Sequence, residues 1–136
     1  RTFIVGHDLQ GRPVSLQRTG LASHRFAEMY AFCGGGSAGL QAFVDGYILM
    51  QEVQAARMEE AGATQNVVIM DLAGMSFSPD PRALSTFREF LRISERYYPE
   101  TLALHFFVNA PLAFAGLWRV VRGWLDPVTA AKFHVP

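Results

Sequence analysis

The sequence predicts an α/β fold: a mixed, mainly parallel sheet with crossover helices. Three observations predict it. Apolar runs at residues 66–72 and 103–108 alternate with longer stretches of helical periodicity. Two Asp-Pro pairs, Asp80-Pro81 and Asp126-Pro127, each combine an N-cap side chain with a proline suited to the first helical position. Finally, residues 66–72 (Asn-Val-Val-Ile-Met-Asp-Leu) do not alternate in polarity, as expected of a strand covered on both faces in a parallel sheet.

The elements follow in order. Residues 2–5 and 13–17 read as short strands, and the turn formers of His7-Asp8-Leu9-Gln10-Gly11-Arg12 make them a hairpin at one sheet edge. Residues 21–32 read as a helix, and the glycine run at 33–39 as a loop. Residues 40–60 form a long helix with an apolar stripe of Phe43, Tyr47, Met50, Val53 and Met58, and Gly62 caps it. After the strand at 66–72, Ser76 to Ser78 lead into a helix from Pro81 to about Tyr97. Its Leu84, Phe87, Leu91, Ser94 and Tyr98 line one side. A strand at 103–108, a helix at 111–124, a short turn at Asp126-Pro127 and a last strand near Ala131 complete the chain. Strand, helix, strand, helix, strand implies right-handed parallel crossovers.

Composition bounds the function. The 136 residues form one domain, with no internal repeats and no dividing linker. A chain of this mass buries about two-thirds of its surface, leaving roughly 7,000 Å² exposed. Half the residues are hydrophobic and 18% are charged, which excludes a disordered solvating segment. Twelve basic and twelve acidic residues cancel, so there is no broad footprint for nucleic acid. Eleven of the basic residues are arginine, and Lys132 is the one lysine. Cys33 stands alone, so no disulfide framework is possible. Residues 101–118 carry no Asp, Glu, Lys or Arg, a length approaching a membrane span. Asn109-Ala110-Pro111 breaks that stretch into a strand and a helix, because a residue before proline is pushed out of the helical region. A start at Arg1 and a strand ending at Pro136 suggest a piece of something longer.

Several constellations could carry chemistry. Gly35-Gly36-Ser37-Ala38-Gly39 matches the G-x-S-x-G elbow of serine hydrolases, with Ser37 as nucleophile and Asp71 or Asp126 and His134 following in order. The elbow needs a strand before it, and residues 28–33 are poor strand formers, so a glycine-rich linker between helices is the favoured reading. His7, His24, His105 and His134 have no metal-ligand spacing. Asp71 ends a buried strand, where it could meet a ligand or cap the following loop; the capping role is favoured. In the helix at 111–124, Phe114, Leu117, Trp118, Val121 and Leu125 form one apolar face, and Ala113, Val120 and Trp124 extend it. Such a helix is either buried or in contact with lipid, and two Trp beside Arg119 and Arg122 suit an interfacial position. After Asp126-Pro127, Thr129 and Lys132 stand three residues apart at a helix start, a cradle for a phosphate.

Six motifs in order make the sequence similar to CRAL-TRIO lipid-binding domains. They are Asp8-Leu9-Gln10-Gly11-Arg12-Pro13-Val14, a helix from Tyr47 ending in Glu52, Ile69-Met70-Asp71-Leu72-Ala73-Gly74-Met75-Ser76, Tyr97-Tyr98-Pro99-Glu100, Val108-Asn109-Ala110-Pro111 with Phe114, and Leu125-Asp126-Pro127-Val128-Thr129-Ala130-Ala131-Lys132. The resemblance implies a hydrophobic pocket that holds one lipid, phosphatidylinositol, and transfers or presents it between membranes without covalent catalysis. Glu100, Thr129 and Lys132 would hold the inositol phosphate, and Ser94 matches a head-group position of phosphatidylcholine binders. Tyr47, Val68, Met70, Phe87, Leu91 and Phe106 would line the pocket. Phe114, Leu117, Trp118 and Val121 would lie on a gating helix. The resemblance further implies no cofactor or metal, a monomer with a phospholipid ligand and a transient membrane surface as partners, and a cytoplasmic, peripheral membrane location. It also implies a fragment without the family's N-terminal helical module and C-terminal end. Two departures stand out: Thr101 occupies a place often basic in phosphoinositide binders, and Asn66 and Val68 stand where phosphatidylcholine binders place hydroxyls. A serine hydrolase using Ser37 and a lipid-indifferent protein-interaction module are the alternatives.

Overall fold

The computed structural model describes residues 2–76 and 80–135; residues 77–79, inside the loop expected before Asp80, lie outside the described residues. The strands are β1 (Thr2–His7), β2 (Pro13–Arg18), β3 (Asn66–Asp71), β4 (Leu102–Val108) and β5 (Phe133–His134). The helices are α1 (Thr19–Ser23), α2 (Phe26–Phe32), α3 (Gly36–Glu60), α4 (Pro81–Tyr97), α5 (Phe114–Arg122) and α6 (Pro127–Ala130). One sheet has the order β1-β2-β3-β4-β5, with β1 antiparallel to β2 and every other neighbour parallel.

This order has a geometric consequence. Successive right-handed crossovers that always step in one direction place their helices on one face of the sheet. Register and alternation assign the residues to faces. Gln17 pairs with Met70 and Met70 with Phe107, while Ser15 pairs with Val68, Val68 with His105 and His105 with Phe133. These rows meet the helices: Gln54 of α3 bonds Ser15, and Phe114 of α5 packs on Phe107. The opposite face carries a row from Phe3 through Leu16, Ile69 and Phe106 to His134. The surface is 8414 Å², above the roughly 7,000 Å² expected of a compact monomer of this mass.

Both Asp-Pro starts behave as the sequence indicates. Asp80 accepts from the Arg82 N–H, and Asp126 accepts from the Thr129 N–H. The membrane-length stretch is divided as expected into β4 and α5, and no helix among the described residues is long and apolar enough to cross a membrane.

Three expectations need correction. The helix predicted at 21–32 is two helices, α1 and α2. A Cβ at Gly20 of α1 would lie 2.3 Å from the Ala73 carbonyl oxygen, so α1 is pressed onto the loop after β3. The Ser23 hydroxyl donates to the Gly20 carbonyl and accepts from the Ser76 N–H, fixing α1 there. The glycine loop is shorter than predicted, because α3 begins at Gly36. Only residues 33–35 intervene, with Gly34 and Gly35 at φ of 98° and 62°. Finally, α3 does not follow a simple apolar stripe: Val53 is 47% exposed, while Gln54 is 4% exposed. Gln54 is buried because its amide bridges two buried polar groups, accepting from Asn66 Nδ2 at 2.9 Å and donating to Ser15 Oγ at 3.4 Å.

Candidate binding groove and inner cavity

The C-terminal half of α4, the turn after it, and the segment from Trp124 to Phe133 surround a groove of about 470 Å³. Ser94, Glu100, Thr129 and Lys132 all line it. The fold brings these four together from three places in the sequence. Ser94 sits near the end of α4. Glu100 stands in the turn to β4 with φ of 58°, a left-handed conformation uncommon for a residue with a Cβ. Lys132 directly precedes β5, and its carbonyl accepts from the His105 N–H at 2.8 Å, which ties it to β4. Lys132 forms no ion pair among the described residues.

The phosphate cradle differs in detail from its prediction. α6 is a single turn, and its Thr129 N–H is already taken by Asp126. The Thr129 hydroxyl also donates to Asp126, at 2.6 Å. These two bonds hold the Asp126 carboxyl below the usual carboxylate range. A hydroxyl has one proton to give, so Thr129 must exchange Asp126 for a phosphate before it can donate to one. Of the cations lining the groove, Arg92 pairs with Glu89 and Arg88 lies over Trp124, while the Lys132 ammonium has no such partner among the described residues.

An inner cavity of about 90 Å³ lies between the sheet and helices α3 and α4. Tyr47, Val68, Met70, Phe87 and Leu91, five of the residues expected around a lipid, line it. Phe106 does not. It stacks on His134 on the opposite face, with ring centroids 5.0 Å apart. His105 and Phe107 point to the helices, and strand alternation therefore turns Phe106 away. Phe107 takes the inward place.

The predicted gate residues lie on α5 and fill the space beneath it. Phe114 and Val121 are buried, and Leu117 and Trp118 pack on the cluster of Met70, Leu72, Phe107 and Phe114. The Phe107 ring is 4.9 Å from Phe114 and 5.3 Å from Trp118, and Trp118 is 5.2 Å from Phe133. Trp118 thus faces inward. Trp124 lines the groove beneath the Arg88 guanidinium, 5.3 Å away. Val128, which lines the groove, is exposed, as are Leu112 and Val120, which lie before and on α5.

Sequence reasoning missed the polar lining of the inner cavity: Gln17, Gln51, Gln54 and His105. Gln51 Nε2 donates to the Tyr47 hydroxyl at 2.7 Å and to Ser94 Oγ at 3.2 Å. Tyr47 also stacks on Phe90 at 4.3 Å, and burial pushes its phenol pKa up. A signal was present in the spacing, because Tyr47, Gln51 and Gln54 fall on one helix face. Tyr98, at the groove, donates to Glu52 at 2.6 Å, and that bond leads the rise of its phenol pKa to about 12.

Other candidates resolve into simpler roles. Asp71 caps its loop, accepting from the Ala73 N–H at 3.0 Å and from Asn109 Nδ2 at 2.9 Å. Ser37 lies in the first turn of α3, preceded by helix α2 and not by a strand, so the elbow geometry is not formed. Among the described residues no group of three or more His, Cys, Asp or Glu could hold a metal ion.

The family model for the CRAL/TRIO domain matches residues 1–136. This chain belongs to the CRAL-TRIO family. Within it, the chain is 33% identical over 81 residues to the SEC14 cytosolic factor of Eremothecium gossypii, covering 60% of this chain and 26% of that protein. It is 31% identical over 137 residues to the phosphatidylinositol/phosphatidylcholine transfer protein SFH11 of Arabidopsis thaliana, covering 94% of this chain and 34% of that protein. The chain therefore spans about a quarter to a third of the length of these relatives. The crystal structure of Sfh5 superposes with a TM-score of 0.70 at 18% identity, over 97% of this chain and 46% of that one, and so shares the CRAL-TRIO fold.

Proposed function

We infer that this CRAL-TRIO chain binds one phospholipid, phosphatidylinositol, and moves or presents it between membranes without covalent chemistry. The observation that carries this reading is the convergence of Ser94, Glu100, Thr129 and Lys132 on one groove beside an apolar interior. Relatives named for transfer of phosphatidylinositol and phosphatidylcholine support it. Lys132 would neutralise the phosphate, and Glu100 would accept from inositol hydroxyls. Asp126 disfavours an anion placed deep against α6, so the phosphate sits on the Lys132 side.

The space between the sheet and α5 is filled by side chains in the closed state. Loading therefore moves α5 off the sheet, and the chains take the space that Phe114, Leu117 and Trp118 fill in the closed state. Each fully buried side chain of that kind contributes about 1.5–3 kcal/mol, so opening needs compensation. A bilayer supplies it by taking up the exposed face of α5 together with Leu112, Val120 and Val128, which shifts the population toward the open state. The chain then works between the cytosol and a membrane surface.

The test is transfer of labelled phosphatidylinositol from donor to acceptor vesicles by the full-length protein. Transfer above the spontaneous rate is expected. A protein that speeds transfer of no lipid contradicts the reading and favours an interaction module.

A further inference from the structure

One buried polar atom is left unanswered. His105 is 8% exposed, and its Nε2 has neither a hydrogen-bond partner nor contact with solvent among the described residues. Its ring packs against Phe107 and Phe133, with centroids at 4.8 and 4.6 Å. The neighbouring amides are engaged: Gln54 with Ser15 and Asn66, and Gln51 with Tyr47 and Ser94. Burying a polar group without a partner is unfavourable, so an orphaned one on a residue that lines a cavity is a candidate to meet a bound ligand.

The position of His105 indicates what that partner is. His105 lines the inner cavity, and Leu91, Ser94, Thr101, Leu102 and Phe133 line both this cavity and the outer groove. On the reading that a glycerolipid head group occupies the groove at Glu100 and Lys132, the next polar atoms inward are the ester linkages to glycerol. We propose that His105 Nε2 donates a hydrogen bond to an acyl ester carbonyl of the bound glycerolipid, so that the site distinguishes ester-linked from ether-linked chains. This step deepens the lipid reading and rests on it.

The chemistry fits. Burial alone pushes the His105 pKa down to about 3, so the imidazole is neutral near pH 7 and carries one N–H. A carbonyl only accepts, so it fixes that proton on Nε2. A neutral donor suits a neutral carbonyl, leaving the phosphate charge to Lys132. An ether oxygen is a weaker acceptor and leaves His105 without an adequate partner.

The experiment is competitive uptake by the full-length protein from phosphatidylcholine vesicles containing equal amounts of dioleoyl phosphatidylinositol and its dioleyl diether analogue, read by mass spectrometry of the extracted lipid. The wild type is expected to favour the diester roughly three- to tenfold, the range of one net hydrogen bond. His105→Phe should bring the ratio to one, and His105→Gln, which keeps an N–H donor, should restore part of the preference. Equal uptake of both lipids by the wild type, or an unchanged ratio in His105→Phe, overturns the His105 assignment alone. Uptake of neither lipid by the wild type overturns the lipid reading and this inference together.

Discussion

Asn66 Nδ2 donates to Gln54 Oε1 at 2.9 Å across the buried contact between β3 and α3. Gln54 Nε2 continues the chain to Ser15 Oγ on β2, so one amide joins three elements in the floor of the cavity. Gln54→Ala strands both partners in a buried site. The expected loss is about 2–3 kcal/mol of folding stability. Urea unfolding should show a lower midpoint with an unchanged slope. A loss below about 0.5 kcal/mol would mean that water replaces the amide without cost.

Gly20 touches the loop that follows β3. A Cβ there would lie 2.3 Å from the Ala73 carbonyl oxygen and 2.4 Å from the Leu72 carbonyl carbon, both of them backbone atoms. Gly20→Ala must push α1 away from that loop. A destabilisation of at least about 2 kcal/mol is expected by thermal or urea unfolding. Gly46→Ala is the control, since nothing lies within 4 Å of its added Cβ. The two variants behaving alike would contradict the packing of α1.

Lys132 and Thr129 line the same groove, but of their two side chains only that of Thr129 bonds a neighbour among the described residues, Asp126. Lys132→Ala is expected to lower phosphatidylinositol transfer roughly tenfold, the scale of a charge-assisted contact, and to change transfer of an uncharged lipid little. Thr129→Val should cost less in transfer and more in stability, because it removes half of the Asp126 cap. Equal loss for charged and uncharged lipids in Lys132→Ala would reject its head-group role.

The buried imidazole makes a pH prediction. The His105 pKa is pushed down to about 3 in the folded protein, against an ordinary 6.5. Above pH 6.5 the residue is neutral whether folded or unfolded and contributes no pH dependence. As pH falls from 6.5 toward 3, the unfolded chain binds a proton that the folded protein refuses, and stability drops by up to several kcal/mol. His105→Phe removes this penalty. Its acid-unfolding midpoint should lie at lower pH than that of the wild type, followed by circular dichroism. Coincident acid curves would show that His105 reaches water or a partner in the folded state.

The parts of the fold that were legible in the sequence are those with strong local signals. Asp80 and Asp126 fixed two helix starts because capping chemistry is local, and β3 and β4 were readable from their β-branched and aromatic residues, although helices cover one face of the sheet and not the two expected. α3 was misread at its buried face because a helix that buries Gln54 and exposes Val53 violates the periodicity used to orient it. The burial of Gln54 depends on Ser15 and Asn66, 39 and 12 residues away in the chain. Motif resemblance singled out Glu100, Thr129 and Lys132, which the fold brings to one groove; their head-group role is the proposal above. Phe106 was assigned to the pocket because a run of aromatic residues hides its phase, and one residue of register decides the face. The elbow-like glycines around Ser37 failed as a site for a local reason: helix α2, and not a strand, precedes them.

The central claim is that the space between the sheet and α5 opens to hold a single phospholipid. The most direct measurement is native mass spectrometry of the full-length protein after incubation with vesicles containing phosphatidylinositol, followed by solvent extraction and identification of what is bound. A mass increase of one phosphatidylinositol per protein is expected, reduced in Lys132→Ala. A protein that emerges at its bare mass, with no extractable lipid of any class, would contradict it.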